Sequence, residues 1–339
     1  MKIVALAGGV GGAKLVDGLA RLLPPEDLTI IVNTGDDFDH LGLRICPDLD
    51  TVCYTLAGLA NPVSGWGRLD ETWNALAVIA QLGGPDWFKL GDWDLGTHLE
   101  RTRRLQSGQT LSQITNDFCN AWGIAHTVLP MSDDPVPTMV ISDEGVLPFQ
   151  EYFVRRQCKP RVMGFRFEGV GAATPAPGVI FALQAASLVV ICPSNPWVSI
   201  DPILSVPGIQ ETITSLKSPS IPSDLRQVSQ IGESTKVLAI SPIIGGQAVK
   251  GPAAKMFSEM GIIPSALAVA AHYGDLLDGF VYDVVDSDLE RDLQALKIHT
   301  YRVNTLMKSS EDRQQLAIEV ISFGKRLHSD TIVRKERKD

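Results

Sequence analysis

Two stretches near the amino terminus carry the residue types that phosphate chemistry uses. In VALAGGVGGAKLVDG, Val4 to Gly18, an apolar run meets a glycine cluster that opens a helical pattern. Glycines at positions Gly8, Gly9, Gly11 and Gly12 let backbone N–H groups approach an anion without interference from a Cβ. A helix N-terminus at the same place favours negative charge, and Lys14 lies nearby. The second stretch, NTGDDFDHLGLRICPDLDT, sets Asp36, Asp37, Asp39, Asp48 and Asp50 within fifteen residues. Carboxylates beside an anion site repel the ligand unless a cation lies between them. Hard oxygen ligands with a phosphate point to Mg²⁺. Blander readings stand beside these: a tight strand-to-helix turn without ligand, Asp48 or Asp50 capping the helix that begins LDTVCYTL, and His40 as a plain loop residue.

Two familiar nucleotide motifs are absent. Gly9 and Gly11 fill the first two places of G-x-G-x-x-G, but Lys14 occupies the third, and Asn33 stands where an acidic ribose ligand belongs. GAKL does not complete a P-loop, which needs G-K-[ST]. Other strand ends carry polar groups: Ser194 and Asn195 in CPSNPWVSI, and Ser241 and Lys250 in SPIIGGQAVKGP. Ser132, Asp133 and Asp134 in LPMSDDPV suit either ligand hydroxyls or a turn. Trp66, Trp73, Trp87 and Trp93 can form core or stack on a planar ligand. Nothing in the sequence demands a nucleophilic triad, and phosphoryl-type transfer can proceed by positioning and charge stabilisation alone.

These residues need elements that bring them together. KIVALA, LTIIVNT, SLVVICP and KVLAISP read as buried strands, and Leu15, Val16, Leu19, Ala20 and Leu23 line one face of a first helix. Strand–helix alternation predicts a doubly wound, mostly parallel, Rossmann-like α/β sheet. Loops Gly8–Gly12, Thr34–Asp39, Pro193–Pro196 and Pro242–Gly246 should then meet at the strands' carboxyl ends. TVCYTLAGLA, DETWNALAVIAQL and LSQITNDFCNAWG read as helices, so residues 55–125 form a helical insertion in a core of residues 1–54 and 126–339. TMVISDEGVLPFQEYFV predicts a β-hairpin turned at Asp143-Glu144-Gly145, and Glu311 to Leu327 a last helix before the charged tail RKERKD.

Composition narrows the class. The 339 residues are 45% apolar and 20% charged, with a formal net charge of -9, which argues against a nucleic-acid binder. Five scattered cysteines without C-x-x-C spacing suggest reduced thiols rather than zinc or disulfides. The start is not a signal peptide and no run is long enough to span a bilayer, so a soluble cytoplasmic protein is expected.

The chain from Met1 to about Met307 resembles the 2-phospho-L-lactate transferases of coenzyme F420 biosynthesis. The resemblance rests on GGVGGAKL, NTGDDFDHLGLRICPDLDT, WGRLDETW, WFKLGDWDLGTH, LPMSDDPV, PSNPWVSI, SPIIGG and HYGD. It implies transfer of a phospholactyl or phosphoenolpyruvyl group from a guanosine diphosphate-linked donor to the ribityl hydroxyl of the deazaflavin Fo, with release of GMP. It implies Mg²⁺ held by Asp36 and Asp50, Lys89 and Asp50 on the deazaflavin, and a homodimer. The working picture puts the diphosphate on Gly8, Gly9, Gly11, Gly12 and Lys14, with Asn33, Ser194, Asn195 and Ser241 around it and Asp50 or Asp37 orienting the acceptor hydroxyl. Trp93 departs from the family, many members of which have arginine there; tryptophan can stack or pack. The rival readings are a non-catalytic nucleotide-sugar-binding regulator of the gluconeogenesis-factor type and an NAD-dependent oxidoreductase, the latter disfavoured by Lys14 and Asn33.

Overall fold

The computed structural model describes residues 1–217 and 234–336. Strand β1 (Ile3–Ala7) leads through helix α1 (Val10–Ala20) to β2 (Leu28–Val32). A short antiparallel hairpin follows, β3 (Phe38–His40) and β4 (Leu43–Ile45). Four helices come next: α2 (Pro47–Leu56), α3 (Asn74–Gln81), α4 (Asp92–Gln106) and α5 (Leu111–Ala121). The chain then returns as β5 (Thr127–Pro130) and builds a separate antiparallel sheet from β6 (Thr138–Ser142), β7 (Gly145–Pro148) and β8 (Val162–Phe167). β9 (Leu188–Ile191), β10 (Lys236–Ile240), the small hairpin β11 (Ile243–Ile244) and β12 (Gln247–Ala248), β13 (Gly279–Asp283) and β14 (His299–Val303) complete the strands.

Seven of these strands form one parallel sheet in the order β14-β13-β10-β9-β1-β2-β5. The order turns back at β1, which lies between β2 and β9, so the crevice outside their carboxyl ends is where such sheets bind ligands. Alternate residues of β1 feed two cores, as the pleat requires. Val4 and Leu6 join one apolar cluster, while Ile3, Ala5 and Ala7 join the other with Leu15 and Leu19 of α1. The C-terminal helix, Ser310–Glu336, closes over α1 on this second face. Gly18 has no room for a Cβ, because the Arg313 carbonyl oxygen occupies that place, and Arg313 bonds Asp17 at 3.0 Å.

The predicted strands, the first helix and the hairpin are all present. The hairpin's last residues differ: EYFV begins a single wide helical turn, Glu151–Arg155, rather than strand. The last helix runs further than predicted; of the tail RKERKD, the final three residues lie outside the described residues, as do positions 218–233 of the core segment. Helix α4 was not expected. Its buried residues are Asp94, Thr97, His98 and Arg101, a polar stripe at i, i+3, i+4 and i+7 that hydrophobic periodicity does not register. β3, β4, β8, β13 and β14 were also unanticipated. No helix among the described residues is long and apolar enough to cross a membrane.

Candidate active site

A cavity of about 770 Å³ opens at the carboxyl ends of the parallel strands. All four predicted loops reach it, through Gly9 and Gly11, Asp36, Pro193 to Asn195, and Pro242. Further walls come from elsewhere: Tyr54, Asp94 and His98 on α2 and α4, Trp66 and Trp87 to Lys89 before α4, Phe149 and Gln150 after β7, and Thr305 to Met307 after β14.

The glycine loop is shaped first by its protein neighbours. A Cβ on Gly11 would fall on the Pro193 carbonyl oxygen, one on Gly9 on the Asp48 carboxylate, and those on Gly8 and Gly12 on Ser199 and Ser194. None of the four has a positive φ; close approach between the β1 and β9 loops is what demands glycine. Gly8 donates its N–H to Ser194 Oγ at 3.1 Å, which locks the two loops together. Gly9 and Gly11 line the cavity, whereas Gly8 and Gly12 do not. Lys14 lines it as well, its Nζ donating to the Met307 carbonyl at 2.8 Å. Burial, with Arg313 and Lys250 nearby, lowers its pKa.

Asp36 finds its partner carboxylate in Asp48. Asn33 Nδ2 lies 3.2 Å from Asp36 Oδ1 and 2.9 Å from Asp48 Oδ2, and Gly35 N–H fixes the amide from the other side at 2.8 Å. Both acids line the cavity beside the glycine loop. Burial and the charge of Asp48 push the Asp36 carboxyl well up, and burial pushes Asp48 up to about 6. Asp48 makes no cap for its own helix: Cys46 is the N-cap residue, without a side-chain bond. Gln150 reaches Asp36 Oδ2 at 3.4 Å from the antiparallel sheet's side.

Asp50 stands in different company. Arg101, 2% exposed, grips it with both terminal nitrogens, Nη1 at 3.1 Å from Oδ2 and Nη2 against Oδ1. Nη1 also lies 3.1 Å from His98 Nδ1. His98 Nε2 is 3.4 Å from Asp94 Oδ1, and Tyr54 donates its hydroxyl to the same oxygen at 2.7 Å. Burial raises the Asp94 pKa, but the proximity of His98 and the Tyr54 hydroxyl outweighs it and holds the carboxyl below the ordinary range. Glu71 fixes the start of α4 by accepting from the N–H groups of Trp93 and Asp94, at 2.9 and 2.8 Å. Asp50, Asp94 and His98 each offer an atom within 4.8 Å of the others, so by spacing alone this group could hold a metal ion.

Several predicted residues are placed otherwise than expected. Asn33 is fully buried and does not line the cavity; it holds the acid pair from behind. Asp37 also lies off the cavity wall, its oxygens without a hydrogen-bond partner among the described residues, and burial pushes its carboxyl up to about 7. Asp36 and Asp50 both line the cavity, Asp50 bonded to Arg101 and Asp36 held with Asp48 by Asn33. Lys89, Ser194, Asn195 and Ser241 do line the cavity. The last two also brace their own loops, Asn195 by accepting from Trp197 N–H and Ser241 by accepting from Ile243 N–H, both at 3.1 Å. Trp66 and Trp87 line it; Trp73 and Trp93 do not. Trp93 is 59% exposed, with the Arg68 guanidinium 5.6 Å from its ring. Ser132, Asp133 and Asp134 bond Thr174 and Ser112 and act as turn residues. His40 is buried against Trp87, ring centres 5.0 Å apart. Sequence reasoning left Asp48 between the acidic cluster and a helix cap, and singled out neither Gln150 nor the α4 stripe; WFKLGDWDLGTH, in the family resemblance, was the one signal for the last.

Residues 3–323 match the family described as 2-phospho-L-lactate transferase CofD. A protein named phosphoenolpyruvate transferase from Kitasatospora aureofaciens is 43% identical over 324 residues, covering 94% of this chain and 96% of that one. A 2-phospho-L-lactate transferase from Methanosarcina mazei is 37% identical, covering 93% and 98%. Among solved structures, a UPF0052-family protein from Bacillus halodurans superposes with a TM-score of 0.61 at 16% identity, covering 94% and 98%, which is a likeness of fold.

Proposed function

This chain belongs to the 2-phospho-L-lactate transferase CofD family, and from that premise we propose that it transfers a phospho-acyl group from a guanosine diphosphate-linked donor to the ribityl hydroxyl of the deazaflavin Fo. The observation that carries the reading is the juxtaposition, at the sheet's turning point, of the β1 glycine loop and the buried Asp36–Asp48 pair. Two carboxylates this close, both pushed toward protonation, are a donor set that a divalent cation would return to the ionised form. We assign Mg²⁺ to Asp36 and Asp48, and Asp50, neutralised by Arg101, to the acceptor side. When bound, the cation would offset charge on the diphosphate.

The rest falls to the chain's own groups. The loop carrying Gly9 and Gly11, with Lys14, takes the diphosphate; Asn33 and Gln150 keep Asp36 in place. The acceptor oxygen bonds to the β-phosphorus as the bond to GMP breaks, so the donor must lie between the glycine loop and the α2–α4 wall. Trp66 and Trp87 offer ring faces to a planar acceptor, with Lys89 nearby. Trp93, off the cavity, has no part in stacking. Higher identity to a phosphoenolpyruvate transferase than to a phospholactate transferase supports the enolpyruvyl donor. Assembly as a homodimer belongs to the same reading: α3, NALAVIAQ, is mostly apolar yet buries no residue within the chain.

Incubation with Fo, Mg²⁺ and each guanosine diphosphate-linked donor tests this. GMP release should accompany a heavier deazaflavin product, fastest with the enolpyruvyl donor. Tight binding of the donors with no product from any of them would favour a regulator instead.

A further inference from the structure

We propose that the Asp50–Asp94–His98 cluster is a hydroxyl-binding site for the acceptor rather than a metal centre. Asp94 Oδ2 is the receiving atom, and His98 and Arg101 are positioning residues. The proposal rests on the transferase reading above for the identity of the acceptor, but on hydrogen-bond direction for the rest.

Spacing alone would allow a cation; the direction of the bonds does not. A guanidinium has donors and no acceptor. With Arg101 Nη1 at 3.1 Å, His98 Nδ1 must therefore contribute its lone pair, and the proton of the neutral ring sits on Nε2. A metal needs an unprotonated ring nitrogen, and the only one is already engaged. Moving the proton to Nδ1 would free Nε2 but set two donors face to face against an arginine that is 2% exposed. Both Asp50 oxygens are likewise held by Arg101. Two of the three supposed ligands are thus committed to a cation the protein supplies itself.

Asp94 is what remains open. Among the described residues its side chain accepts one hydrogen bond, on Oδ1 from Tyr54; His98 Nε2 lies 3.4 Å from the same oxygen without hydrogen-bond geometry. Its side chain is also the most open of the three, at 12% against 7% for Asp50 and 2% for His98. An ionised oxygen with free lone pairs on a wall shared with Trp87 and Lys89 suits an O–H donor on a polyol chain. His98 touches no ligand in this scheme. It stands between Arg101, on its Nδ1 side, and Asp94, 3.4 Å from its Nε2, so that the buried row Asp50–Arg101–His98–Asp94–Tyr54 holds both carboxylates in place.

Three measurements on the full chain test the proposal. A long-range ¹H–¹⁵N correlation spectrum of the wild type, with His98 assigned through His98→Gln, should show Nδ1 unprotonated and Nε2 protonated. The opposite tautomer overturns the argument without reference to any variant's folding. Calorimetry with Fo should show Asp94→Asn weakening binding about 10- to 100-fold, as expected for loss of a hydrogen bond to a charged group. GDP affinity and the Mn²⁺ titration should be unchanged. His98→Gln, whose amide can replace the Nε2 donor, should stay within about threefold of wild type, whereas His98→Leu should follow Asp94→Asn. A Mn²⁺ midpoint that moves in Asp94→Asn or His98→Gln while Fo binding does not would make the cluster a metal site and overturn the proposal. If the wild type binds no Fo, the acceptor assignment falls with the proposed function. The choice between hydroxyl site and metal site is then decided by the tautomer and the Mn²⁺ titration.

Discussion

Each acid of the cluster has its own surroundings, and these separate five aspartates that look alike in sequence. Asp50 is bound to a buried arginine, so Asp50→Asn removes more than a catalytic carboxylate: it strands the Arg101 charge. Breaking one side of a buried pair costs about 3–5 kcal/mol. The variant should melt well below wild type as well as lose turnover, and adding Arg101→Met should restore much of the melting temperature but not the activity. A single variant that melts like wild type would remove the buried pair from the account. Asp37 behaves differently. With its carboxyl pushed up to about 7 by burial, the folded chain holds that proton more tightly than the unfolded chain, whose carboxyl titrates near ~4. Its contribution to stability therefore declines as pH rises from about 4 to about 7 and then levels off. Asp37→Asn, melted in chelator, should match wild type near pH 4 and exceed it above pH 7. The same difference at both pH values would contradict this.

Among the elements, the glycine loop and α4 repay comparison. Gly11 lies where the β1 loop crosses the Pro193 carbonyl, so even Gly11→Ala drives a methyl group into backbone that cannot swing away. Overpacking of this kind costs about 1–3 kcal/mol. The melting temperature should fall and GDP binding with it, because the same crossing positions both loops; unchanged melting would mean the loops yield without cost. Helix α4 inverts the usual logic of a buried helical face. Its inward stripe is polar, and α2 satisfies two of its members, Arg101 through Asp50 and Asp94 through Tyr54. The family motif placed this segment near the acceptor, but its helical form and inward direction follow from those pairings.

For the molecule as a whole, the cavity has two ends built from distant parts of the chain. At one end hydrogen bonds tie Gly8 to Ser194 and Lys14 to Met307; at the other they tie Asp50 and Tyr54 of α2 to α4. GDP should slow amide exchange at the first end and Fo at the second, with Asp36 and Asp48 between them. Exchange mass spectrometry that finds both ligands protecting the same segments would collapse the two ends into one.

Continuous apolar strands ending in glycine or proline loops have few ways to fold, so the parallel sheet, the edge that carries the cavity and most of the cavity's loops were legible from residues 1 to 45 and the two later strands. The family motifs added the chemistry. Pairing was not legible. Asp36, Asp48 and Asp50 differ by sequence offset alone, and only the start of α2 at Pro47 turns Asp48 toward Asn33 and Asp50 toward Arg101. A residue fifty-one positions away decides what Asp50 can bind. Such long-range partners leave no periodicity in the chain, because the free energy of a buried charge is set by whatever the tertiary fold brings beside it.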